Sequence, residues 1–238
     1  NRDFKGTAMF VFQPAEEGLG GARAMIADRL FERSPCDEIY GLHNMPDLEL
    51  GEVAVFPGKA MAGAKFFDIQ IKARGSHAAM PHNSKDPIVI AMTLGQSLQS
   101  IVSRNVNPLK PAVLSITKFA AGSAYNVIPE EADLGGTIRY FHDDVGELVA
   151  SRIREIAAGF AASYDCEIVV DIRDVFSVLE NHEAETEALR EVAVEIVGED
   201  KVITEPRPTM GSEDFADMLH AVPGSYCWVG HGGTMPLH

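Results

Sequence analysis

The spacing of apolar residues predicts a chain that alternates between strands and helices. The run TAMFVF (7–12) is continuously apolar, which is typical of a strand buried on both faces of a parallel sheet. After a glycine turn, apolar residues recur at helical spacing over 22–30, and EIYGLHN (38–44) predicts a second short strand. The opening of the chain therefore has α/β character.

The middle of the chain has a different pattern. AKFFDIQIKA (64–73) alternates apolar and polar residues as a half-buried strand does, and Asp86 with Pro87 signals the start of a helix that continues to Val102. Two further strands, a second amphipathic helix over 145–160 and a last strand, CEIVVDI, follow. The resulting order β-α-β-β-α-β is that of the ferredoxin-like unit.

The end of the chain returns to helix at 188–196, then to a proline-containing link and a short strand, YCWVG (226–230). The simplest architecture is an α/β domain formed by residues 1–61 and 175–238. An inserted α+β, ferredoxin-like domain of residues 62–174 interrupts it.

Composition and charge exclude several classes of partner. The chain has 238 residues, and 20 basic against 35 acidic residues give a net charge of -15, which argues against binding nucleic acid or an anionic membrane. Three widely spaced cysteines without a CxxC pair favour a reducing compartment, so we expect a cytoplasmic protein. The chain begins without methionine and ends on a histidine, which favours a fragment of a longer protein.

The adjacent carboxylates Glu16 and Glu17 come directly after the first predicted strand. Ligands gather at the carboxyl ends of strands in parallel α/β sheets, so the pair is a candidate site. Other adjacent acids occur at 130–131, 143–144, 199–200 and 213–214, so a solvated pair is the plain alternative. The glycine turn that follows suits a phosphate less well, because the two carboxylates would repel it.

Histidines supply further candidates. His43 ends the second predicted strand, and carboxylate with imidazole is ordinary ligand chemistry for zinc or manganese. His77 and His82 lie on a predicted loop, GSHAAMPH, where a catalytic histidine is more plausible than in a core. His142, His182 and His220 are expected to be ordinary surface or satisfied residues.

Polar residues near the predicted turns complete the set. In GSEDF (211–215), we expect Ser212 to cap the following helix and the two acids to favour its positive end, while the backbone of Gly211 and Ser212 stays open to a substrate. Asn126 lies between two strands of the inserted domain. Arg139 lies on a strand and has the fork geometry that suits a substrate carboxylate.

Taken in order, the motifs QPAEEGLGGA, GLHN, GSHAAMPHNSKDPI, AYNVIPEEADLGGTIRYF and MGSEDF resemble those of the M20 metallopeptidases. The resemblance is greatest to the aminoacylase and hippurate hydrolase-like amidohydrolases. It implies a catalytic domain that binds two metal ions and an inserted lid that also forms a homodimer.

The resemblance also implies roles for individual residues. Glu16 would be the general base that takes a proton from a metal-bridging water, and His77 would reach the partner subunit's site to polarise the scissile carbonyl. The implied metal ligands are Glu17, His43 and His238. The implied substrate-binding residues are Asn126, Arg139, Gly211 and Ser212, with Arg139 holding the substrate carboxylate.

The implied reaction is metal-dependent hydrolysis of the amide of an N-acyl amino acid, either hippurate-like or N-acetylated. The two divalent ions would be zinc or manganese, and cobalt and nickel are further candidates. The family's first metal motif, of the type Cys-Gly-His-Asp-x-His, has no counterpart in the fifteen residues before Glu16. We therefore expect the chain by itself to bind metal weakly and to be inactive. The alternative is a non-catalytic dimerisation or small-molecule-binding module that kept the fold.

Overall fold

The computed structural model describes residues 5–17 and 20–233, which form a mixed α/β structure. The helices are α1 (Gly21–Ala27), α2 (Leu30–Arg33), α3 (Pro87–Leu98), α4 (Ser100–Arg104), α5 (Asp143–Tyr164), α6 (Glu183–Val197) and α7 (Phe215–Ala221). The strands are β1 (Ile39–Met45), β2 (Val53–Ala54), β3 (Gly58–Met61), β4 (Gly63–Lys72), β5 (Ser76–His77), β6 (Ala112–Ala121), β7 (Val127–Ile128), β8 (Glu131–Tyr140), β9 (Glu167–Phe176), β10 (Leu179–Asn181), β11 (Val202–Ile203) and β12 (Gly224–Gly230). Short 3-10 helices follow β5 and α6.

The middle of the chain folds as the sequence pattern predicts. Strands β4, β6, β8 and β9 form an antiparallel sheet in the order β6-β8-β4-β9, here called the lid sheet, and α3, α4 and α5 connect the strands. This arrangement confirms the β-α-β-β-α-β, ferredoxin-like fold class. The predicted helix to Val102 is divided at Gln99, so that α3 ends at Leu98 and α4 begins at Ser100.

The start of α3 shows why the local sequence determines this element. The Asp86 carboxylate accepts hydrogen bonds from the backbone N–H groups of Ile88, at 2.9 Å, and Val89, at 3.3 Å. Pro87 takes the first helical position, where its missing N–H costs nothing. The cap and the proline together begin the helix at the predicted residue.

The two faces of the lid sheet differ in burial. On the helix-covered face, Leu134 and Ile138 of β8 are fully buried and pack in a core with residues of α3 and α5. Thr137 and Arg139 project from the opposite face, here called the open face, because side chains alternate along a strand. Both are half-buried.

The lid sheet also has two distinct ends. At one end, here called the hinge end, Ala64 of β4 pairs with Arg139. The chain enters the lid sheet from the rest of the molecule at this end. At the other end Lys72 pairs with Glu131, and the small ladder between β5 and β7 extends the pairing outward. We call this outer part, residues 73–77 and 122–128, the tip.

The remaining elements form a second body with its own core. Its sheet has the order β1-β12-β2-β11, with β1 and β12 parallel, and buried Phe56, Phe215 and Trp228 lie in its core. The chain therefore has α/β character here, as predicted. The exact division at residues 61/62 and 174/175 stays a prediction. Among the described residues, no helix combines the length and apolar character needed to cross a membrane.

The prediction of a buried strand at TAMFVF is wrong. Residues 7–12 have no regular structure, and the side chains of Phe10 and Phe12 are 83% and 89% exposed. Only Val11 packs against the second core. An apolar run becomes a strand when another strand pairs with it, and no described strand pairs with this one.

Candidate active site

Three carboxylates converge beside the segment that carries Glu16. Ligand oxygens of Glu16, Glu213 and Asp214 all lie within 4.8 Å of one another. Glu16 is half-buried and the other two residues are buried. Three acids this close repel one another unless a cation or bound protons offset their charge, so the donor set fits a divalent metal ion.

Asp214 ties the Glu16 segment to the second body. Its carboxylate accepts hydrogen bonds from the backbone N–H of Ala22, at 3.0 Å, and from the side-chain amide of Gln13. The glycine turn makes this approach feasible, because a Cβ at Gly21 would lie 1.6 Å from the carbonyl oxygen of Pro14. The glycines after the acidic pair thus allow close packing of α1.

Glu213 is held by two hydrogen bonds to its carboxylate. Its Oε1 accepts from the backbone N–H of Phe215 at 3.1 Å, and its Oε2 accepts from the hydroxyl of Tyr226 at 2.7 Å. Tyr226 is buried in β12. The second body therefore fixes Glu213 from two elements, which limits how far its carboxylate can move away from Glu16.

The predicted cap by Ser212 is wrong, because Ser212 donates to the carbonyl oxygen of Ala62 at 2.7 Å and Asp214 makes no side-chain cap bond to α7. The predicted position of the acids at the start of α7 agrees with the structure, since Glu213 accepts from the N–H of Phe215, the first residue of that helix. The two acids also complete the cluster around Glu16, a role that local reasoning missed. The motif MGSEDF among those that resemble the M20 family was the signal that pointed to this segment.

The cluster changes the acidity of Glu16. Burial raises the pKa of the Glu16 carboxyl, and the neighbouring charges of Glu213, Asp214 and Glu17 raise it further, while His43 lowers it. Burial also raises the pKa of the Asp214 carboxyl, against the hydrogen bonds that favour its ionised form. A carboxylate with a raised pKa is a better proton carrier near neutral pH.

His43 lies within β1, two residues before its end, rather than at the end as predicted. Its Nδ1 lies 2.6 Å from the carbonyl oxygen of Asn44. Because a carbonyl oxygen only accepts, this contact requires a proton on Nδ1, and in the neutral ring Nε2 is then the nitrogen with the lone pair. This tautomer suits a metal ligand. His43 and the exposed Glu17 both act electrostatically on Glu16. His238 lies outside the described residues.

The structure brings three of the predicted substrate-binding residues together at the hinge end. Nη1 of Arg139 donates to Oγ of Ser212 at 2.7 Å, and the Gly211 carbonyl accepts from the backbone N–H of Ala62 at 2.9 Å. Burial lowers the pKa of the Arg139 guanidinium. Among residues 5–17 and 20–233, no carboxylate lies within 4.0 Å of it.

A groove of about 490 Å³ separates α1 from the lid sheet, lined in part by Gly20, Arg23 and Phe66. Phe66 pairs with Thr137, so this groove borders the open face. A larger cavity, of about 720 Å³, is lined by His182 and His220 among others and contains none of the predicted site residues.

His77 and Asn126 lie at the tip, away from the cluster. They are neighbours, since His77 pairs with Val127 and the Asn126 carbonyl accepts from Ala78 N–H at 2.9 Å. Both are exposed. Eight residues of β4 separate the Ala64–Arg139 pair from the end of the sheet, which places the tip roughly 25 Å from Arg139. No side chain spans that distance within one chain.

Comparison with known proteins adds the family. The model of peptidase family M20/M25/M40 matches residues 1–238. The chain is 38% identical over 236 residues to the N-acetylcysteine deacetylase of Bacillus subtilis, and 38% identical over 238 residues to the hippurate hydrolase of Campylobacter jejuni. A Bacillus subtilis structure described as a dinuclear metal binding peptidase from the M20 family superposes with a TM-score of 0.77 at 32% identity, covering 95% of this chain and 56% of that one.

The matches cover nearly all of this chain but a smaller share of each relative. They cover 99% and 100% of this chain but only 61% and 62% of the deacetylase and the hydrolase, so the chain spans about three fifths of their length. The motifs, the fold of the described residues and the family model agree with one another. It belongs to the peptidase family M20/M25/M40.

Proposed function

We propose that the chain forms part of a metal-dependent amidohydrolase that cleaves the amide of an N-acyl amino acid, releasing a carboxylic acid and a free amino acid. The observation that carries this proposal is the position of the Glu16 cluster on one body and the Arg139 guanidinium, without a carboxylate partner among the described residues, on the other. Two relatives are named for N-acetylcysteine and hippurate, both of which are acylated amino acids.

Two divalent metal ions, zinc or manganese, would be held by Glu17 and His43, close to the acids around Glu16, together with His238, which lies outside the described residues. The donor set of carboxylates with an Nε2 lone pair suits either ion. A bound divalent ion lowers the pKa of water to about 7 and offsets the repulsion among the acids. Cobalt and nickel suit the same donors.

Glu16 is the general base in this proposal. It would take a proton from water and then pass that proton to the leaving amine. In the metal-free chain, burial and the charges of Glu213 and Asp214 raise the pKa of Glu16. Hydrogen bonds from Tyr226 and Ala22 hold these two acids beside it.

Arg139 would bind the substrate carboxylate. The guanidinium is half-buried at the hinge end, where its hydrogen-bond partner is the neutral hydroxyl of Ser212. An anion there would form a charge-assisted pair in a partly desolvated place, where such pairs are strongest. Ser212 and the adjacent backbone of Gly211 would complete the contact.

His77 and Asn126 would act on the site of a second copy, in a homodimer formed through the lid. The open edge of β6 and the exposed apolar side chains of Val89, Met92 and Phe119 support a lid-to-lid contact. At the partner's site His77 would donate to the scissile carbonyl oxygen, an interaction typically worth about 3 kcal/mol in the transition state.

The experiment is a metal titration and a substrate panel on the protein that contains this chain. N-benzoylglycine and N-acetylcysteine are the first substrates, and Glu16→Gln is compared with Glu32→Gln, a change in an exposed acid on α2. We expect Glu16→Gln to lower kcat by about 10²- to 10⁴-fold, because the base is removed while the shape is kept. Glu32→Gln should match the unmodified protein.

Retained activity in Glu16→Gln would remove this residue from the role of base. The second candidate function is a non-catalytic dimerisation or small-molecule-binding module, which the exposed apolar side chains of the lid favour. It requires that the unmodified, metal-loaded protein hydrolyse none of the substrates. We further expect the chain of residues 1–238 by itself to bind metal weakly and to turn over none of them.

A further inference from the structure

Arg139 has a second hydrogen-bond partner that the proposed reaction leaves without a role. Its Nε donates to Oγ1 of Thr137 at 3.0 Å. The two residues are separated by one position on β8, so both side chains project from the open face. Thr137 is half-buried and lies outside the core that faces the helices.

Thr137 and Ser212, both neutral, accept hydrogen bonds from different nitrogen atoms of Arg139. A guanidinium has five N–H groups. Thr137 takes the one on Nε and Ser212 takes one on Nη1, which leaves one N–H of Nη1 and both of Nη2 free of described protein partners. A carboxylate therefore meets the end of the fork that carries Nη2, since the Nε position is already occupied.

Thr137 is well placed to keep this orientation. It is paired on both sides within the lid sheet, with Phe66 of β4 and Ser115 of β6. Its branched Cβ restricts the first side-chain torsion, so the hydroxyl has few alternative positions. An arginine side chain held in advance loses less freedom when an anion binds.

We propose that Thr137 is a positioning residue that selects for a substrate carboxylate by holding Arg139 with Nη2 directed to it. The proposal rests on the proposed function, in which Arg139 binds that carboxylate. Thr137 itself does not touch the substrate. Its effect should thus appear in the binding of carboxylate substrates and be absent for otherwise identical neutral substrates.

The test compares Thr137→Val and Thr137→Ser in the metal-loaded protein that contains this chain. Valine keeps the branched shape and the strand preference but removes the acceptor, whereas serine keeps the acceptor. The substrates are N-benzoylglycine and N-benzoylglycinamide, which differ only in the carboxylate. Thr117→Val, on the exposed side of β6, is the matched control.

We expect Thr137→Val to raise KM for N-benzoylglycine about five- to tenfold with little change in kcat, since an acceptor for a charged donor is lost. KM for the glycinamide should not change, and Thr137→Ser should restore the KM of the acid. Thr117→Val should match the unmodified protein for both substrates, and thermal unfolding should show all variants folded.

Equal KM increases for both substrates, or no rescue by serine, would overturn the positioning role. An unchanged KM for N-benzoylglycine in Thr137→Val would overturn it as well. Failure of the proposed function looks different, because the unmodified protein would then hydrolyse neither substrate. Direct binding of N-benzoylglycine by calorimetry gives a readout independent of turnover and should weaken by the same factor.

Discussion

The hinge end and the tip of the lid sheet both carry side chains suited to catalysis, but only the hinge end meets the rest of its own chain. Arg139 is half-buried there and bonded to Ser212 of the second body. His77 and Asn126 at the tip are exposed, and their described hydrogen bonds stay within the two loops there: Nδ1 of His77 accepts from Ala79 N–H at 3.1 Å, and the Asn126 carbonyl accepts from Ala78 N–H. One sheet thus presents a contact with the second body at one end and an exposed pair of polar residues at the other.

The length of the sheet explains this difference. Ladder pairs run without a break from Ala64–Arg139 to Lys72–Glu131, and antiparallel strands are stiff over that length. A residue at the tip cannot fold back to the acidic cluster. If His77 takes part in the reaction, a second copy has to supply it, and this consequence separates the two ends experimentally.

The largest expected effect on kcat/KM comes from removing one reactive side chain at each end of the lid sheet. We expect Arg139→Ala and His77→Ala each to lower kcat/KM for N-benzoylglycine by about 10²-fold, the former through lost carboxylate binding and the latter through a lost donor. The measurement is steady-state kinetics on each purified variant.

Mixing the two inactive variants tests whether the ends belong to different subunits of one site. A mixed dimer would contain one site with both residues intact, so subunit exchange at equal ratio should restore about a quarter of the unmodified activity. No recovery after confirmed exchange would place His77 and Arg139 in the same subunit's site or remove one of them from the reaction.

A smaller effect, on the free energy of unfolding, is expected when a buried tyrosine near the cluster is changed and an exposed tyrosine at the tip serves as the comparison. Tyr226→Phe removes the hydroxyl that donates to Glu213, which leaves a buried carboxylate oxygen without that partner. We expect the free energy of unfolding to fall by about 1–3 kcal/mol, measured by urea denaturation. Tyr125→Phe, at a fully exposed position of the tip, should change it by less than about 0.5 kcal/mol. Equal changes in the free energy of unfolding for the two variants would show that the Tyr226 hydroxyl does not anchor Glu213.

The smallest effect concerns the charge of the cluster in the metal-free chain. The pKa of the Glu16 carboxyl is raised above its ordinary value of 4.5, so the folded state binds this proton more tightly than the unfolded state. The contribution of Glu16 to stability therefore falls as pH rises above about 4.5. We expect Glu16→Gln to be more stable than the unmodified chain at pH 7, by about 0.5 kcal/mol because solvent screens this half-exposed position.

Thermal unfolding at several pH values tests this effect. The advantage of Glu16→Gln should shrink below pH 4.5, where the carboxyl is protonated in both states. A stability advantage that is constant with pH would assign the effect to packing instead of charge.

Local sequence determined the lid and several candidates for the site. The alternation over 64–73 and the Asp86–Pro87 start signal are short-range patterns, and the structure places a strand and a helix at both. Glu16, His43 and Arg139 could be singled out because each combines a reactive side chain with a predicted strand or a turn after one. Their individual roles remain predictions.

Only the tertiary structure decided what these residues face. Glu213 and Asp214 look like ordinary helix-start acids along the chain, yet a contact across about 200 residues brings them beside Glu16. The run at 7–12 has the pattern of a buried strand, but pairing and burial depend on which other segments reach it, and no described strand does. Hydrophobic period and capping are properties of neighbours in sequence, whereas convergence of charges and the separation of the two ends of a sheet are properties of neighbours in space.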